Sequence, residues 1–212
     1  MLLWQHKAMK TIAIISQKGG SGKTTIAVHL AVCAERAKKR IAIIDLDPQG
    51  SALEWFNRRE AGTPEVVRAV PEQLDALLAQ AKANGAALAI IDTAPHSDRA
   101  ATVVAGLADL VLTPCRPAAF DVAAIPTTLQ ILKLSDAQNR AAILLNAVPT
   151  QGRTADEAEA GLSSISRVVP VRIHHRAAYS HAVNDGRSVE EYEPTGKAAQ
   201  EIRALFKWIM KS

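Results

Sequence analysis

The stretch Gln17-Lys18-Gly19-Gly20-Ser21-Gly22-Lys23-Thr24-Thr25 restricts this chain more than any other. An apolar run, Thr11 to Ile15, leads into it, and a helical pattern from Ile26 to Lys38 leads out. A strand that enters a glycine-rich turn and leaves as the first turn of a helix makes a cradle for phosphate. Gly19, Gly20 and Gly22, with Ser21 between them, let the backbone come close and turn several N–H groups toward one point. Lys23 adds a full positive charge for the β- and γ-phosphates. The Thr24 hydroxyl is placed to ligate Mg²⁺, and Thr25, one step along the helix, reaches the α-phosphate.

The common form of this loop has a glycine five residues before Gly22, where this chain has Gln17. It has a second lysine instead, Lys18. Lys-Gly-Gly-x-Gly-Lys-Thr-Thr resembles the deviant P-loop of the ParA/MinD family of ATPases. The resemblance implies ATP and Mg²⁺ as ligands and a homodimer formed with ATP. It also implies that Lys18 reaches across the dimer interface to the phosphates held by the other subunit.

Two further strand ends carry carboxylates. Arg40-Ile41-Ala42-Ile43-Ile44 is nearly all apolar, as a strand buried on both faces is. It runs into Asp45-Leu46-Asp47-Pro48-Gln49. In an open α/β sheet ligands lie beyond the carboxyl ends of the strands, so Asp45 and Asp47 face the same crevice as the glycine loop. By the resemblance, Asp47 positions the attacking water and Asp45 sits close to Mg²⁺. The strand from Ala86 ends in Asp92, which fits the Walker B pattern and would hold the Mg²⁺ shell through water. Thr93-Ala94-Pro95-His96 resembles the family's switch segment. The family fixes no catalytic histidine there, so His96 is not expected to be a general base. The segment from Pro114 to Asp121 resembles the loop that lines the family's dimer face. Asp121 serves either in that loop or as the N-cap of a helix from Val122 to Ser135, with Pro126 in its first turns. Asn146 closes a sixth strand. The resemblance places it at the adenine edge, where an amide offers both donor and acceptor; otherwise it is a turn asparagine.

With 212 residues, 48% hydrophobic and 22% charged, the chain fits one globular domain spanning 1–212. Residues 1–8 are expected to be a loosely held extension, because Met9-Lys10 stands as a second possible start. No apolar run approaches the ~20 residues of a membrane span, and the first residues do not read as a signal peptide. Cys33 and Cys115 lie far apart and suit a reducing compartment. Strands alternate with helices throughout, which predicts an α/β fold: a P-loop NTPase with a mostly parallel sheet of about seven strands or more and helices on both faces. The expected elements include a helix from Ser51, as N-cap, to Glu60, with Trp55 as packing. They also include strands over Glu65–Val70, Leu107–Pro114 and Val168–Ile173, and an amphipathic helix from Thr195 to Lys211 docked on the sheet.

The net charge of +4 permits a polyanionic partner. The favoured reading is a small ParA-type partition ATPase, cytoplasmic and nucleoid-associated, working with a ParB-like or small centromere-binding adaptor protein. No room is expected before Met9 for a sequence-reading domain, so duplex DNA would be bound non-specifically through phosphates. Arg172, Arg176 and Arg187 are the DNA candidates, in a cluster that includes Arg167 and is reinforced by Lys197, Arg203 and Lys207. Arg176 comes first, because its spacing of ten residues to Gly186 matches a family arginine. One rival is a MinD-like membrane-associated regulator using the last helix, where Lys207 and Lys211 flank Phe206 and Trp208. Others are a ParA-like positioner of protein cargo and a small-molecule ligase, which would need a second pocket for which no motif is present.

Overall fold

The computed structural model describes residues 9–212; the expected N-terminal extension, 1–8, lies outside them. In chain order the elements are β1 (Lys10–Ile14), α1 (Lys23–Arg36), β2 (Ile41–Asp45), α2 (Ser51–Asn57), β3 (Glu65–Arg68) and α3 (Leu74–Ala83). Then come β4 (Leu88–Asp92), α4 (Asp98–Leu107), β5 (Leu110–Cys115), α5 (Ala119–Val122), α6 (Ile125–Leu134) and β6 (Ala141–Leu145). The chain ends with α7 (Thr154–Ser163), α8 (Ala177–Asn184), α9 (Val189–Tyr192) and α10 (Lys197–Ile209). The strands form one sheet in the order β3-β2-β4-β1-β5-β6, and every pairing is parallel.

The apolar strands behave as their composition requires. Successive side chains of a strand point to opposite faces, so a strand covered on both sides must be apolar throughout. Ile43 and Ile90 go to the face that packs α1, α9 and α10, while their neighbours Ile44 and Ile91 go to the face that packs α3, α4 and α6. Each fully buried isoleucine contributes roughly 1.5–3 kcal/mol. The apolar stripe of α10 (Ala198, Ala199, Ile202, Leu205, Ile209) is buried in the first of these clusters together with α1. The helix therefore docks on the domain, as expected. No described helix is long and apolar enough to cross a membrane.

Four local expectations are corrected. The sheet has six strands. Residues 168–173 run beside β6 but make only isolated bridges, Ile143 with Val168 and Val148 with His174. The Val169 N–H donates to Ile143 and the next bond to β6 comes from the Ile173 N–H to Leu145, so the ladder is interrupted between them; alternation turns the Pro170 nitrogen to the open edge, where a missing N–H removes no bond to β6. The helix expected over Val122–Ser135 is broken in two, α5 and α6, with Pro126 opening the second, where its missing N–H costs nothing. Asp121 sits inside α5 rather than capping a helix. Finally, Leu107 ends α4, a helix with no counterpart in the sequence reading, and β5 begins three residues later at Leu110.

Candidate functional site

β1, β2 and β4 end side by side, with Ile14 opposite Asp92 and Asp45 opposite Asp92 in register. The glycine loop leaves β1, so the strand order alone brings the loop and the two acids to one crevice. Gly22 is the N-cap of α1 at φ 94, a backbone state that glycine adopts without strain. A Cβ there would stand 2.3 Å from Asn146 Nδ2. Both the conformation and the close approach require glycine at this position.

Lys23 is buried, at 7% exposure, and its Nζ donates to the Ser16 carbonyl at 3.4 Å. Burial pulls its pKa below the ordinary value, opposed by the carboxylates of Asp92 and Asp47. Thr24 Oγ1 donates to Asp92 Oδ2 at 2.6 Å. Asp92 is fully buried, and burial pushes its carboxyl up to about 7. Among the described residues its Oδ1 has no hydrogen-bond partner, and neither has the buried Ser21 Oγ. A buried carboxylate oxygen without a partner is costly, and a hard divalent cation is the partner that oxygen donors of this kind accept. Asp92, Thr24 and the loop therefore fit Mg²⁺ bound with phosphate. Lys18, Gly19 and Gly20 are exposed at the rim of the loop, and Thr25 is half-buried on α1.

Asp45 ends β2, opposite Asp92. It is fully buried. Its Oδ2 accepts from the backbone N–H of Ala52 at 3.0 Å and Leu53 at 3.2 Å, and its Oδ1 from that of Asp47 at 3.0 Å. It thus anchors the first turn of α2, whose positive dipole end favours a carboxylate. Ser51, expected as the cap, is one residue inside, and Gly50 holds the N-cap at φ 66. Asp45 also stands opposite Asp92 in register, at the same strand ends as the glycine loop. Asp47 is half-buried, and its Oδ1 accepts from the Gln49 N–H at 2.9 Å.

Asn146 follows β6 directly. It is 7% exposed, and its Nδ2 donates to the Ser21 carbonyl at 2.7 Å. It contacts the loop itself. Arg116, just after β5, donates through Nη2 to the Gly20 carbonyl; sequence reasoning passed it over. Its only signal was a cation inside the Pro114–Asp121 segment. His96 is exposed, at φ 53, in the turn after β4.

The three arginines proposed for DNA are already paired. Arg172 meets Asp156 and Glu159, Arg187 meets Asp185, and Arg176 meets Glu201 at 2.6 Å. They do not form one free basic patch, because local carboxylates neutralise each of them. Trp55 packs as expected, 2% exposed, with its Nε1 donating to the Arg187 carbonyl.

A cavity of about 960 Å³ lies elsewhere, between α3 and the β2–β3 edge, lined by Lys38, Arg40, Val67 and Leu77. It opens at the amino ends of the strands, away from the carboxyl ends where α/β sheets bind ligands.

The sequence profile of the CobQ/CobB/MinD/ParA nucleotide binding domain matches residues 12–189. The chain belongs to this family. It is 32% identical over 204 residues to maintenance of carboxysome distribution protein A of Gloeobacter kilaueensis, covering 93% of this chain and 91% of the relative. It is 29% identical over 190 residues to the sporulation initiation inhibitor protein Soj of Bacillus subtilis, covering 86% and 67%. The fold superposes on MinD in the MinC:MinD cell division complex of Aquifex aeolicus with a TM-score of 0.81, covering 96% of each chain at 13% identity. The α/β architecture and the P-loop ATPase class of the family are thereby shown for this ParA/MinD-type chain.

Proposed function

We propose that the chain hydrolyses ATP, dimerises with ATP bound, holds duplex DNA without reading sequence, and positions a cargo through a separate adaptor protein. One observation carries the reading. The loop has two lysines with opposite placements: Lys23 is buried against the loop, and Lys18 is exposed at its rim. Lys23 has a use within its own subunit. Lys18, exposed at the rim, is free to meet the phosphate held by a second subunit.

The residues divide the task. Phosphoryl transfer asks a protein mainly for positioning and charge neutralisation. The N–H groups of the loop and Lys23 hold the phosphates, while Thr24 and Asp92 hold the cation's ligand shell. When bound, Mg²⁺ supplies neutralising charge at the β- and γ-phosphates. Asp47 orients the water that attacks. Lys18 of the second subunit completes the charge around the γ-phosphate, which ties hydrolysis to dimerisation as an arginine supplied in trans does. ATP then holds the dimer together and hydrolysis releases it.

DNA contact is proposed for exposed cations that have no carboxylate partner among the described residues, such as Lys197 and Lys207. A dimer engaging about five phosphates would give a slope of roughly −4 to −5 in log K against log salt. For the cargo, a ParB-like or small centromere-binding adaptor suits plasmid or chromosome partition. The match to carboxysome distribution proteins favours a second reading, a protein assembly as cargo. The burial of the apolar stripe of α10 weighs against using that helix as a membrane anchor.

The test is light scattering with a non-hydrolysable ATP analogue, followed by anisotropy on two unrelated duplexes. The wild type should dimerise and bind both duplexes alike, and Lys18→Ala should remain a monomer. Unchanged dimerisation of Lys18→Ala removes the role in trans. ATP-dependent binding to anionic vesicles without DNA binding would transfer the chain to the MinD-like class.

A further inference from the structure

A glycine-rich loop has more backbone freedom to lose than any other segment, and its N–H groups cradle an anion only if their peptide planes are turned correctly. Two side chains from neighbouring strand ends address those planes. Arg116 follows β5 and donates to the carbonyl of Gly20. Asn146 follows β6 and donates to the carbonyl of Ser21 at 2.7 Å. Only the amide nitrogen of Asn146 can face a carbonyl oxygen, so its orientation is fixed chemically. The two carbonyls are successive.

In a trans peptide the carbonyl of one residue and the N–H of the next point in opposite directions. The Thr63-Pro64 bond is the one cis peptide among the described residues, so the loop peptides are trans. Holding the Gly20 carbonyl therefore turns the Ser21 N–H away from Arg116. Holding the Ser21 carbonyl turns the Gly22 N–H away from Asn146. Arg116 also differs from Arg58, Arg59, Arg172, Arg176, Arg187 and Arg203, each of which has a carboxylate partner. Among the described residues Arg116 has none; the loop carbonyl is its polar contact.

We propose that Arg116 and Asn146 are positioning residues that hold two successive carbonyls of the loop and so aim the Ser21 and Gly22 N–H groups at the phosphates. Asn146 acts on the phosphate end of the ligand through the loop rather than on the base. The proposal rests on the reading of the site as an ATP cradle. Its gain is preorganisation: the loop is turned before the anion arrives, and less ordering accompanies binding.

Tripolyphosphate separates this from base recognition, because it carries the phosphates and no adenine. Titration calorimetry with Mg²⁺ should compare ATP and tripolyphosphate on the wild type, Arg116→Gln, Arg116→Lys, Asn146→Ala and Asn146→Ser. Each neutral variant should weaken both ligands by the same factor, about fivefold to tenfold, the worth of one oriented hydrogen bond. Arg116→Lys should recover part of the loss. Thermal midpoints should stay near the wild type for the exposed Arg116 variants, so a shared fall in affinity is not an unfolding effect. Asn146→Ser, the gentler change, repeats the measurement should Asn146→Ala melt early. If the Asn146 variants weaken ATP and leave tripolyphosphate untouched, Asn146 reads the base and the proposal fails for it. If Arg116→Gln binds both ligands like the wild type, the proposal fails for Arg116. A folded wild type that binds neither ligand overturns the ATPase reading itself.

Discussion

Thr24 Oγ1 and Asp92 Oδ2 lie 2.6 Å apart, joining the first turn of α1 to the end of β4. The bond leaves Asp92 Oδ1 buried and without a partner. Asp92→Asn keeps the size of the side chain and removes its charge. It should leave ATP affinity without Mg²⁺ nearly unchanged and reduce the Mg²⁺-dependent gain by about tenfold or more, roughly 1.4 kcal/mol. Paired ATP titrations in Mg²⁺ and in chelator read the difference directly. An equal loss in both conditions would separate Asp92 from the cation.

Asp47 divides binding from hydrolysis. Among the described residues its carboxylate is hydrogen-bonded only by the Gln49 N–H in the turn after β2, so its removal leaves the cradle intact. Asp47→Ala should bind ATP like the wild type, accumulate as dimer and turn over at least about tenfold more slowly, the scale on which general base and water-positioning groups act. Phosphate release together with nucleotide affinity checks both halves. Turnover at the wild-type rate would remove the water-positioning role.

His29 predicts an acid limb of stability. It is fully buried on α1, with Nδ1 accepting from the Val189 N–H at 3.2 Å and its ring 5.1 Å from that of Tyr179. Burial depresses its pKa from 6.5 to about 3, against smaller opposing contributions from Tyr179 and Glu191. The folded state then binds fewer protons than the unfolded state between those values. The stability that His29 contributes is fully present above pH 6.5 and is lost as pH falls toward 3. His29→Gln, neutral at every pH, should be less stable at pH 7. The gap to the wild type should close as pH drops from 7 to 4. Denaturant unfolding of both proteins across that range gives the gap. A constant difference would mean that the ring is not held neutral by its surroundings.

Arg176 is expected to act on stability more than on DNA. Glu201 accepts from Arg176 Nε and Nη2, from the backbone N–H of His174 and from the Tyr179 hydroxyl. The side chains of the pair are 22% and 12% exposed. Arg176→Ala leaves Glu201 without its guanidinium partner and should cost about 1–3 kcal/mol, the range for a hydrogen-bonded charge pair at partial burial. Duplex affinity should change little. A fully stable variant with lost DNA affinity would return Arg176 to the DNA surface.

Local order alone made much of the chain legible. The residues of the glycine loop are consecutive, so their chemistry could be read before any fold was known. The same holds for strands that are apolar throughout, because alternation sends Ile43 and Ile44 to opposite covered faces. The P-loop site and the alternation of strands and helices needed nothing further. Local breaks were harder to read: residues 168–173 meet β6 only at isolated bridges, and Pro126 splits a helix although it stood in plain view.

Tertiary structure decided what each polar side chain faces. Asp45 gains a second task when α2 folds back and presents the N–H groups of Ala52 and Leu53 to it. Asn146 and Arg116 are 125 and 96 residues from their loop partners. They arrive only because the sheet order places β5 next to β1 and β6 next to β5. The arginines near the C-terminus read as a basic cluster along the chain, yet pairing with Glu159, Glu201 and Asp185 cancels their charge in place. A residue's type travels with the sequence. The field and the hydrogen-bond partners around it come from distant segments, and those are set by how the sheet closes.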